Sequence, residues 1–278
     1  QERAKGGTTS AVTSSGLPSV PTLSSSQGKI ITVYSGKGGT GCTTLAVNLG
    51  VALHNEETRS VIVDGNLQYG DVAVFINEQG KNTILDLATI ADELDPEIVG
   101  DVMVKHGASG GHVLAAPSRP EQAEAVSGEC FLKILQYLRR LYAYVIVDTP
   151  SLLTDVVLAS VDESDVVVLI STQDIPAIKN TRLFLDLVSS LGVDRNRIIL
   201  TINRYDKRIG ITPEKISENL KVDAAAIIPL DERVVIPSVN RGVPFILGNK
   251  AQPSSRGILS LAENVRTRIL SIEMEDEA

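Results

Sequence analysis

The 278-residue chain is poor in several residue types that often carry chemistry. It has two cysteines, three histidines and no tryptophan. Cys42 and Cys130 form no C-x-x-C pair, which excludes a disulfide framework, argues against an iron–sulfur cluster and indicates a reduced cytoplasmic setting. The three scattered histidines have no zinc-ligand spacing. No apolar run approaches the roughly eighteen residues that a membrane span requires.

The sequence also lacks a surplus of basic residues. With 26 lysines and arginines against 34 aspartates and glutamates, its formal net charge is −8, which disfavours an extensive surface for DNA or anionic lipid. The C-terminal segment 269–278 ends in acidic residues, the wrong sign for a basic amphipathic membrane helix, so we expect no direct membrane insertion. One modest basic cluster, which we interpret as a solvated face, comprises Lys179, Arg182, Arg204, Lys207 and Arg208.

From Lys29 onward, short apolar runs alternate with helical stretches, a pattern typical of βαβ units. We therefore predict an α/β domain over 29–278, with a doubly wound, mostly parallel sheet flanked by helices. Residues 1–28 are rich in Ser, Thr, Gly and Pro and predict a flexible linker. Because the sequence starts at Gln1, we expect native sequence upstream. Strands are predicted at 30–34, 60–64, 112–115, 143–148, 165–171, 197–203 and 224–228, and helices at 41–55, 128–141, 176–191, 213–220 and 254–270.

The loop after the first predicted strand has the pattern of a phosphate-binding loop. Residues 35–44 read SGKGGTGCTT and match G-x-x-x-x-G-K-[ST], except that Cys42 replaces the lysine. Thr43 would supply the hydroxyl for a phosphate-bridged Mg²⁺ ion. Four glycines let successive backbone amides converge on phosphate at a helix N-terminus, and they are Gly36, Gly38, Gly39 and Gly41.

Two further apolar runs end in an aspartate. Asp64 ends the second predicted strand, and Asp148 ends the predicted strand 143–148. In parallel α/β sheets, ligands gather at the carboxyl ends of the strands. We therefore expect both carboxylates at the edge that carries the loop, with Asp148 holding Mg²⁺ through water and Asp64 lining the same pocket.

These motifs resemble those of the MinD/ParA superfamily of dimeric P-loop ATPases. Residues 37–44 look like its deviant Walker A loop, K-G-G-x-G-K-[ST]-[ST], residues 64–66 resemble its D-x-D segment, and 147–150 resemble its Walker B segment. Residues 203–205 and 228–231 resemble its adenine-contacting segments. The resemblance spans roughly 29–270. Residues 67–72 and the absent lysine look most like the CpaE/TadZ branch, which acts in polar localisation and tight-adherence pilus assembly, usually behind a receiver-like N-terminal domain.

The resemblance implies ATP or ADP with Mg²⁺, bound between two copies of the chain. Lys37 would reach the partner's phosphates, and the catalytic set would be Lys37, Asp64 and Asn66. Metal contacts would come from Thr43, Asp64 and Asp148. The implied nucleotide contacts are Gly36, Lys37, Gly38, Gly39, Thr40, Gly41, Cys42, Thr43, Thr44, Asn203, Arg204, Pro229 and Asp231.

Two positions depart from the family pattern, Cys42 for lysine and Asn66 for the second aspartate. Asn66 cannot accept a proton from water, and losing one preorganised group can lower a rate by about 10²–10³. We therefore predict a nucleotide-dependent dimeric localisation factor for pilus assembly, with weak or absent hydrolysis, in the bacterial cytoplasm. Partners would recruit it to the pole or inner membrane.

Four alternatives remain open. The first is an active switch ATPase for cell-division or flagellar positioning, and the second is a DNA-segregation ATPase, which the net charge disfavours. A tyrosine autokinase would need a tyrosine-rich tail, whereas the last tyrosine is Tyr205. A Cys42 nucleophile would need a lowered thiol pKa beside Lys37, and no histidine lies nearby in sequence.

Overall fold

The computed structural model describes residues 27–78 and 80–276, and within them eight strands form one sheet. The central strands read as short apolar runs, as expected for strands covered on both faces. The strands are β1 (Lys29–Tyr34), β2 (Ser60–Asp64), β3 (Val104–Lys105), β4 (His112–Leu114), β5 (Tyr144–Asp148), β6 (Val166–Ser171), β7 (Ile198–Tyr205) and β8 (Ala224–Pro229).

Helices fill the connections between the strands, as parallel pairing requires. They are α1 (Cys42–Leu53), α2 (Val72–Phe75), α3 (Ile84–Ala88), α4 (Pro96–Val102), α5 (Gly128–Leu141), α6 (Asp155–Glu163), α7 (Ile175–Ser190), α8 (Pro213–Leu220), α9 (Glu232–Arg241) and α10 (Pro253–Asp276). Short 3₁₀ turns occupy Pro120–Ala125, Arg195–Arg197 and Phe245–Leu247.

The strand order is β3-β4-β2-β5-β1-β6-β7-β8, and every pair except β3–β4 is parallel. This order places β1, which leads into the glycine-rich loop, beside β5, and β5 beside β2. In the β2–β5 ladder Asp64 is directly opposite Asp148. The topology therefore brings the loop and both aspartates to neighbouring positions at the carboxyl edge of the sheet.

Alternate residues of β1 enter different cores, because successive side chains of a strand point to opposite faces. Ile31 and Val33 pack in a cluster with residues of α1 and α10. Ile30 packs with residues of α5 on the other face, and Tyr34 packs with residues of α6, α7 and α8 there. Helices thus cover both faces, which confirms the doubly wound α/β prediction.

All seven predicted strands and all five predicted helices are present, with end shifts of a few residues. The largest shift is at α10, which continues to Asp276 rather than ending near 270. The strand β3 and the helices α2, α3, α4, α6 and α9 were not predicted. Most of these helices are short, and α3, α4 and α6 each start at a single capping side chain, Thr83, Asp95 and Thr154 respectively.

The predicted linker, residues 1–28, lies outside the described residues apart from Gln27 and Gly28. Gly28 is buried, and its N–H donates to the carbonyl oxygen of Arg139 at 2.6 Å. The linker and the upstream receiver-like domain therefore stay predictions. Among residues 27–78 and 80–276, no helix combines the length and apolarity needed to cross a bilayer.

Candidate nucleotide site

The glycine-rich loop runs from the end of β1 to the start of α1 and has the backbone form that its sequence predicts. Gly39 and Gly41 have φ values of +76° and +101°, a region that favours glycine. A Cβ atom at residue 41 would lie 2.5 Å from Nδ2 of Asn203, so this position also lacks space for a side chain. Gly41 is the N-cap of α1, and no side chain caps the helix there. The first backbone amides of α1 are therefore available to a ligand.

Three side chains from outside the loop hold its carbonyl oxygens. Nδ2 of Asn203 donates to the carbonyl of Thr40 at 2.6 Å, and Nη1 of Arg204 donates to that of Gly39 at 3.2 Å. Nδ2 of Asn180, on α7, donates to the carbonyl of Gly36 at 2.8 Å. The loop is therefore fixed in shape by β7 and α7 as well as by its own glycines.

Thr43 and Asp148 form the centre of the polar site. The Thr43 hydroxyl donates to Oδ2 of Asp148 at 2.7 Å, while Oδ1 of Asp148 is buried without a hydrogen-bond partner among the described residues. The pKa of Asp148 is raised well above its ordinary value, mainly by burial and secondly by the charge of Asp64. The hydrogen bond from Thr43 opposes this shift. A buried carboxyl group with one oxygen that lacks a hydrogen-bond partner is suited to binding a cation or a cation-bound water.

Asp64 is engaged differently from Asp148. Its Oδ1 accepts the N–H of Asn66 at 3.1 Å, and its Oδ2 accepts the N–H of Val72 at 3.0 Å. Burial raises its pKa as well, and these two backbone bonds oppose the shift. Both oxygens therefore fix the segment between β2 and α2, which gives Asp64 a structural task beyond the metal role that the sequence predicts.

The two positions that depart from the family pattern both line the cavity described below. Asn66 turns its amide to the backbone, with Nδ2 donating to the carbonyl of Tyr69 at 2.8 Å. Cys42 packs partly against the core, with Sγ 3.8 Å from Oγ1 of Thr40. Burial, and then the Asp148 carboxylate, raise the pKa of the Cys42 thiol to about 12, which is opposite to the lowering that a nucleophile would need.

Lys37 forms an ion pair within the chain. Its Nζ lies 2.7 Å from Oδ1 of Asp174, and both side chains are more than one third exposed. Asp174 also begins α7, where its Oδ1 accepts the N–H of Ala177 at 3.0 Å. Partial burial opposes ionisation of Asp174, but hydrogen bonds from Lys37 and Thr172 outweigh it and lower its pKa.

A cavity of about 570 Å³, within the usual range for small-molecule sites, opens above the loop. Its polar wall contains most of the predicted nucleotide contacts. Gly36, Asp64 and Asp148 do not line it, although Asp148 is joined to the lining through Thr43. The predicted site residues in the lining are Lys37, Gly38, Gly39, Thr40, Gly41, Cys42, Thr43, Thr44, Asn66, Asn203, Arg204, Pro229 and Asp231.

The apolar wall of this cavity, and the Lys37 partner, were missed from the sequence. Phe75 of α2 and Phe245 face the cavity together with Val235 and Val239 of α9. Neither helix was predicted, so nothing in the sequence marked these side chains. Asp174 could have been found, since Asp-x-Pro at a helix start is a recognisable capping pattern.

The donor set fits a magnesium-bound nucleotide. The loop offers backbone amides for phosphate oxygens, and Thr43 with Asp148 would hold Mg²⁺, which prefers oxygen ligands and usually keeps several waters. In the described part of the chain, no cluster of three or more His, Cys, Asp or Glu residues could hold a metal by itself. Phosphate oxygens of the nucleotide are the usual further ligands of a Mg²⁺ ion held by one or two protein side chains.

Comparison with known proteins identifies the family and the fold of this chain. A family model described as an AAA domain matches residues 28–199, well over half of the chain. The septum site-determining protein MinD of Thermotoga maritima is 24% identical over 251 residues, which cover 88% of this chain and 91% of the relative.

Two solved structures share the fold. The ParA family ATPase from Chlorobium tepidum superposes with a TM-score of 0.79 at 21% identity, over 84% of this chain and 98% of that one. MinD from Pyrococcus horikoshii, solved with Mg-ADP, superposes with a TM-score of 0.74 at 23% identity, over 85% and 95% of the two chains. The assignment to the CpaE/TadZ branch stays a prediction. The chain belongs to the AAA domain family and has the P-loop fold of the MinD/ParA superfamily.

Proposed function

We propose that this chain binds ATP with Mg²⁺ and acts as a nucleotide-dependent positioning switch of the MinD/ParA type. The observation that carries the proposal is the Thr43–Asp148 pair beside the glycine-rich loop, with Oδ1 of Asp148 buried and lacking a partner in the described chain. A Mg²⁺ ion on the nucleotide would compensate this carboxylate. The loop amides, at the positive end of α1, would bind the phosphates.

Binding is better supported than rapid hydrolysis. Cys42 supplies no charge to the phosphates, and Asn66, whose amide is bonded to the carbonyl of Tyr69, cannot act as a base. Asp64 does not line the cavity, and both of its oxygens already accept backbone N–H groups, so it is poorly placed to replace Asn66. Slow turnover by the isolated chain is therefore our expectation, and a partner could raise it by contributing a further group.

A second copy of the chain would cover the cavity mouth. Two large apolar side chains lie near Lys37 and are strongly exposed, Leu152 at 69% and Ile175 at 67%. Ile175 follows Asp174, the ion-pair partner of Lys37, and Leu152 follows Ser151 in the cavity lining. On pairing, Lys37 would leave Asp174 and reach the partner's phosphates, while the apolar side chains would be buried.

The cellular task is better supported as site placement or partitioning than as pilus assembly. The matched relatives include a septum site-determining protein and a ParA family ATPase, and this chain covers nearly their whole length. Pilus-assembly partners and recruitment to the pole rest on residues 67–72 and Cys42, and they stay predictions.

The basic cluster gives little support to a DNA-binding function. The Arg208 guanidinium is bonded to the carboxylate of Asp206, and Arg182 is bonded to Asn219. Arg204 faces the loop and lies 4.0 Å from Glu232. These arginines are therefore partly engaged within the chain, which leaves less free positive charge for a phosphate backbone.

The proposal is tested by measuring ATP and ADP binding with and without Mg²⁺, ATP turnover, and the dimer fraction by light scattering. Wild type is compared with Lys37→Ala, and with Lys179→Ala, which removes the same charge from an exposed position on α7. We expect Mg²⁺-dependent ATP binding and an ATP-dependent dimer that Lys37→Ala loses and Lys179→Ala keeps.

The turnover rate then distinguishes a switch that hydrolyses ATP from a scaffold that bound nucleotide holds closed. Turnover of several ATP per minute would identify an active switch and show that another group replaces Cys42 and Asn66. Tight binding with negligible turnover would identify a scaffold held closed by nucleotide. The absence of any ATP or ADP binding would contradict the proposed function.

A further inference from the structure

Most carbonyl oxygens of the phosphate loop accept hydrogen bonds from side chains. Asn180, Asn203 and Arg204 bind the carbonyls of Gly36, Thr40 and Gly39, as described above. Within the loop, the Thr40 hydroxyl donates to the carbonyl of Lys37 at 3.3 Å. Four of the five carbonyls from residue 36 to residue 40 therefore have a defined partner.

Fixing a carbonyl also fixes the amide that follows it. The peptide unit is planar and trans, and no cis bond occurs in the described chain, so the C=O of one residue and the N–H of the next point in opposite directions. The bond from Arg204 to Gly39 thus sets the direction of the Thr40 N–H. The bond from Asn203 to Thr40 sets that of the Gly41 N–H.

We propose that Asn180 and Asn203 are positioning residues for the phosphate loop. Asn203 directs the Gly41 amide towards the phosphates of the nucleotide, whereas Asn180 fixes the start of the loop, where the next amide, that of Lys37, donates to Oγ of Ser35 at 3.4 Å. This inference rests on the proposed nucleotide-binding function. It gives Asn203 a task distinct from the adenine contact that the sequence resemblance implies, because its Nδ2 is already bonded to the loop. Asn180 does not line the cavity, so it can act on a bound nucleotide only through the loop.

The absent lysine makes this orientation more important. A lysine at position 42 would attract phosphate as a point charge whatever the exact direction of the amides. Cys42 supplies no positive charge, so phosphate binding depends on the amide dipoles of the loop, and their attraction depends on direction. The close approach of Gly41 to Asn203 couples loop shape to this side chain directly.

The test compares Asn203→Ala and Asn180→Ala with Asn264→Ala. Asn264, on α10, donates from Nδ2 to the carbonyl of Ala225 at 2.6 Å. Asn264→Ala therefore removes the same kind of hydrogen bond at a position away from the cavity. Calorimetric titrations of the full chain would use Mg-ATP and Mg-tripolyphosphate, which has no base. Thermal unfolding without nucleotide would show whether each variant is folded.

We expect Asn203→Ala and Asn180→Ala to weaken ATP and tripolyphosphate binding by similar factors, about tenfold each, and Asn264→Ala to change neither. Unchanged ATP affinity in folded Asn180→Ala would overturn the inference. So would an Asn203→Ala effect on ATP that is absent with tripolyphosphate, since Asn203 would then read the base. If wild type bound no ATP, the proposed function itself would fail, and this inference with it.

Discussion

At the edge of the sheet where the strands begin, Arg139 donates to both oxygens of Asp165, at 3.0 and 3.1 Å, and to Glu163 at 3.1 Å. At the opposite edge, where the strands end, Asp148 has one oxygen bonded to Thr43 and one without a partner in the described chain. Both edges contain buried or half-buried acidic side chains. Asp165 and Glu163 at the first edge are paired with an arginine, whereas Asp148 has no basic partner among the described residues.

The acidic side chains at the two edges of the sheet serve different ends: those at the first edge stabilise the fold, and Asp148 at the second edge serves the ligand site. The backbone N–H of Ile30 also donates to Asp165 at 2.7 Å, so the network at the first edge ties α5 to the starts of β1 and β6. Charges that are paired and hydrogen-bonded cost little to keep buried, whereas an incompletely paired carboxylate lowers stability until a ligand compensates it. The carboxyl edge therefore has the energetic character of a ligand site.

The largest expected effect is that of Asp148→Asn. Removing the charge should weaken Mg²⁺-dependent ATP binding by about 10–100-fold, the usual effect of losing a group that orients metal-bound water. The ligand-free protein should become more stable, because each unit of raised pKa corresponds to about 1.4 kcal/mol against the charged form. Calorimetry with and without Mg²⁺, and urea unfolding, measure the two effects.

Asp165→Asn is the matched control for this prediction. It removes the same charge from the balanced edge, so it should lower the free energy of unfolding and leave nucleotide affinity unchanged. If both variants destabilise the ligand-free chain equally, the proposed contrast between the edges is wrong.

The next effect is that of Arg139→Met, which tests the balanced edge. The Arg139 side chain is only 11% exposed, and its loss leaves Asp165 and Glu163 without their main partner. We expect the free energy of unfolding to fall by about 2–3 kcal/mol, somewhat less than for fully buried pairs. Urea denaturation provides the measurement. A loss below about 0.5 kcal/mol, the scale of a surface pair, would contradict the role assigned to this network.

The pH dependence of stability should reveal the raised carboxyl pKa. Between its ordinary value and its raised value, the folded protein holds a proton at Asp148 that the unfolded chain has lost. The free energy of unfolding attributable to this group therefore falls as pH rises, by at most about 1.4 kcal/mol per pH unit. The Asp148→Asn variant has no carboxyl group at this position, so it does not lose this stability as pH rises. Its free energy of unfolding should therefore exceed that of wild type by an amount that grows from pH 4 upward.

The difference between the two proteins is the relevant quantity, because other groups titrate in the same range. Burial lowers the pKa of His54, His106 and His112, which makes wild-type stability rise with pH. This contribution is the same in both proteins and cancels in the comparison. An advantage of Asp148→Asn that is constant from pH 5 to pH 8 would show that the Asp148 pKa is not raised.

The sequence was sufficient for the sheet and for the polar half of the site. Apolar runs of five or six residues identified β1, β2 and β5, and the side chains that follow them fell at one edge because parallel strands end together. The glycine spacing predicted the loop, and the positive φ values of Gly39 and Gly41 agree with it.

The sequence was insufficient where a role depends on contacts between distant residues. Lys37 and Asp174 are 137 positions apart, and Asn180 and Gly36 are 144 apart, so no local pattern links them. The apolar wall depends on α2, a four-residue helix without a side-chain cap, and on α9, which has Pro237 inside it. Both features weaken the periodic signal from which a helix is predicted.

The smallest expected effect concerns the exposed charge at the carboxyl edge, and Asp174→Asn tests it. Asparagine can still cap α7, so the substitution removes the ion pair with Lys37 while keeping the helix start. Exposed pairs contribute about 0.2–1 kcal/mol, so releasing Lys37 should favour the ATP-bound dimer by no more than about fivefold.

The measurement is the protein concentration at which half the chains are dimeric, with ATP and Mg²⁺ present. Because salt screens exposed pairs, the shift should shrink between 0.05 and 0.5 M salt, values chosen to span roughly 13 to 4 Å of Debye length. A dimer weakened by Asp174→Asn would instead mean that this carboxylate belongs to the paired state, and that Lys37 is not held back by it.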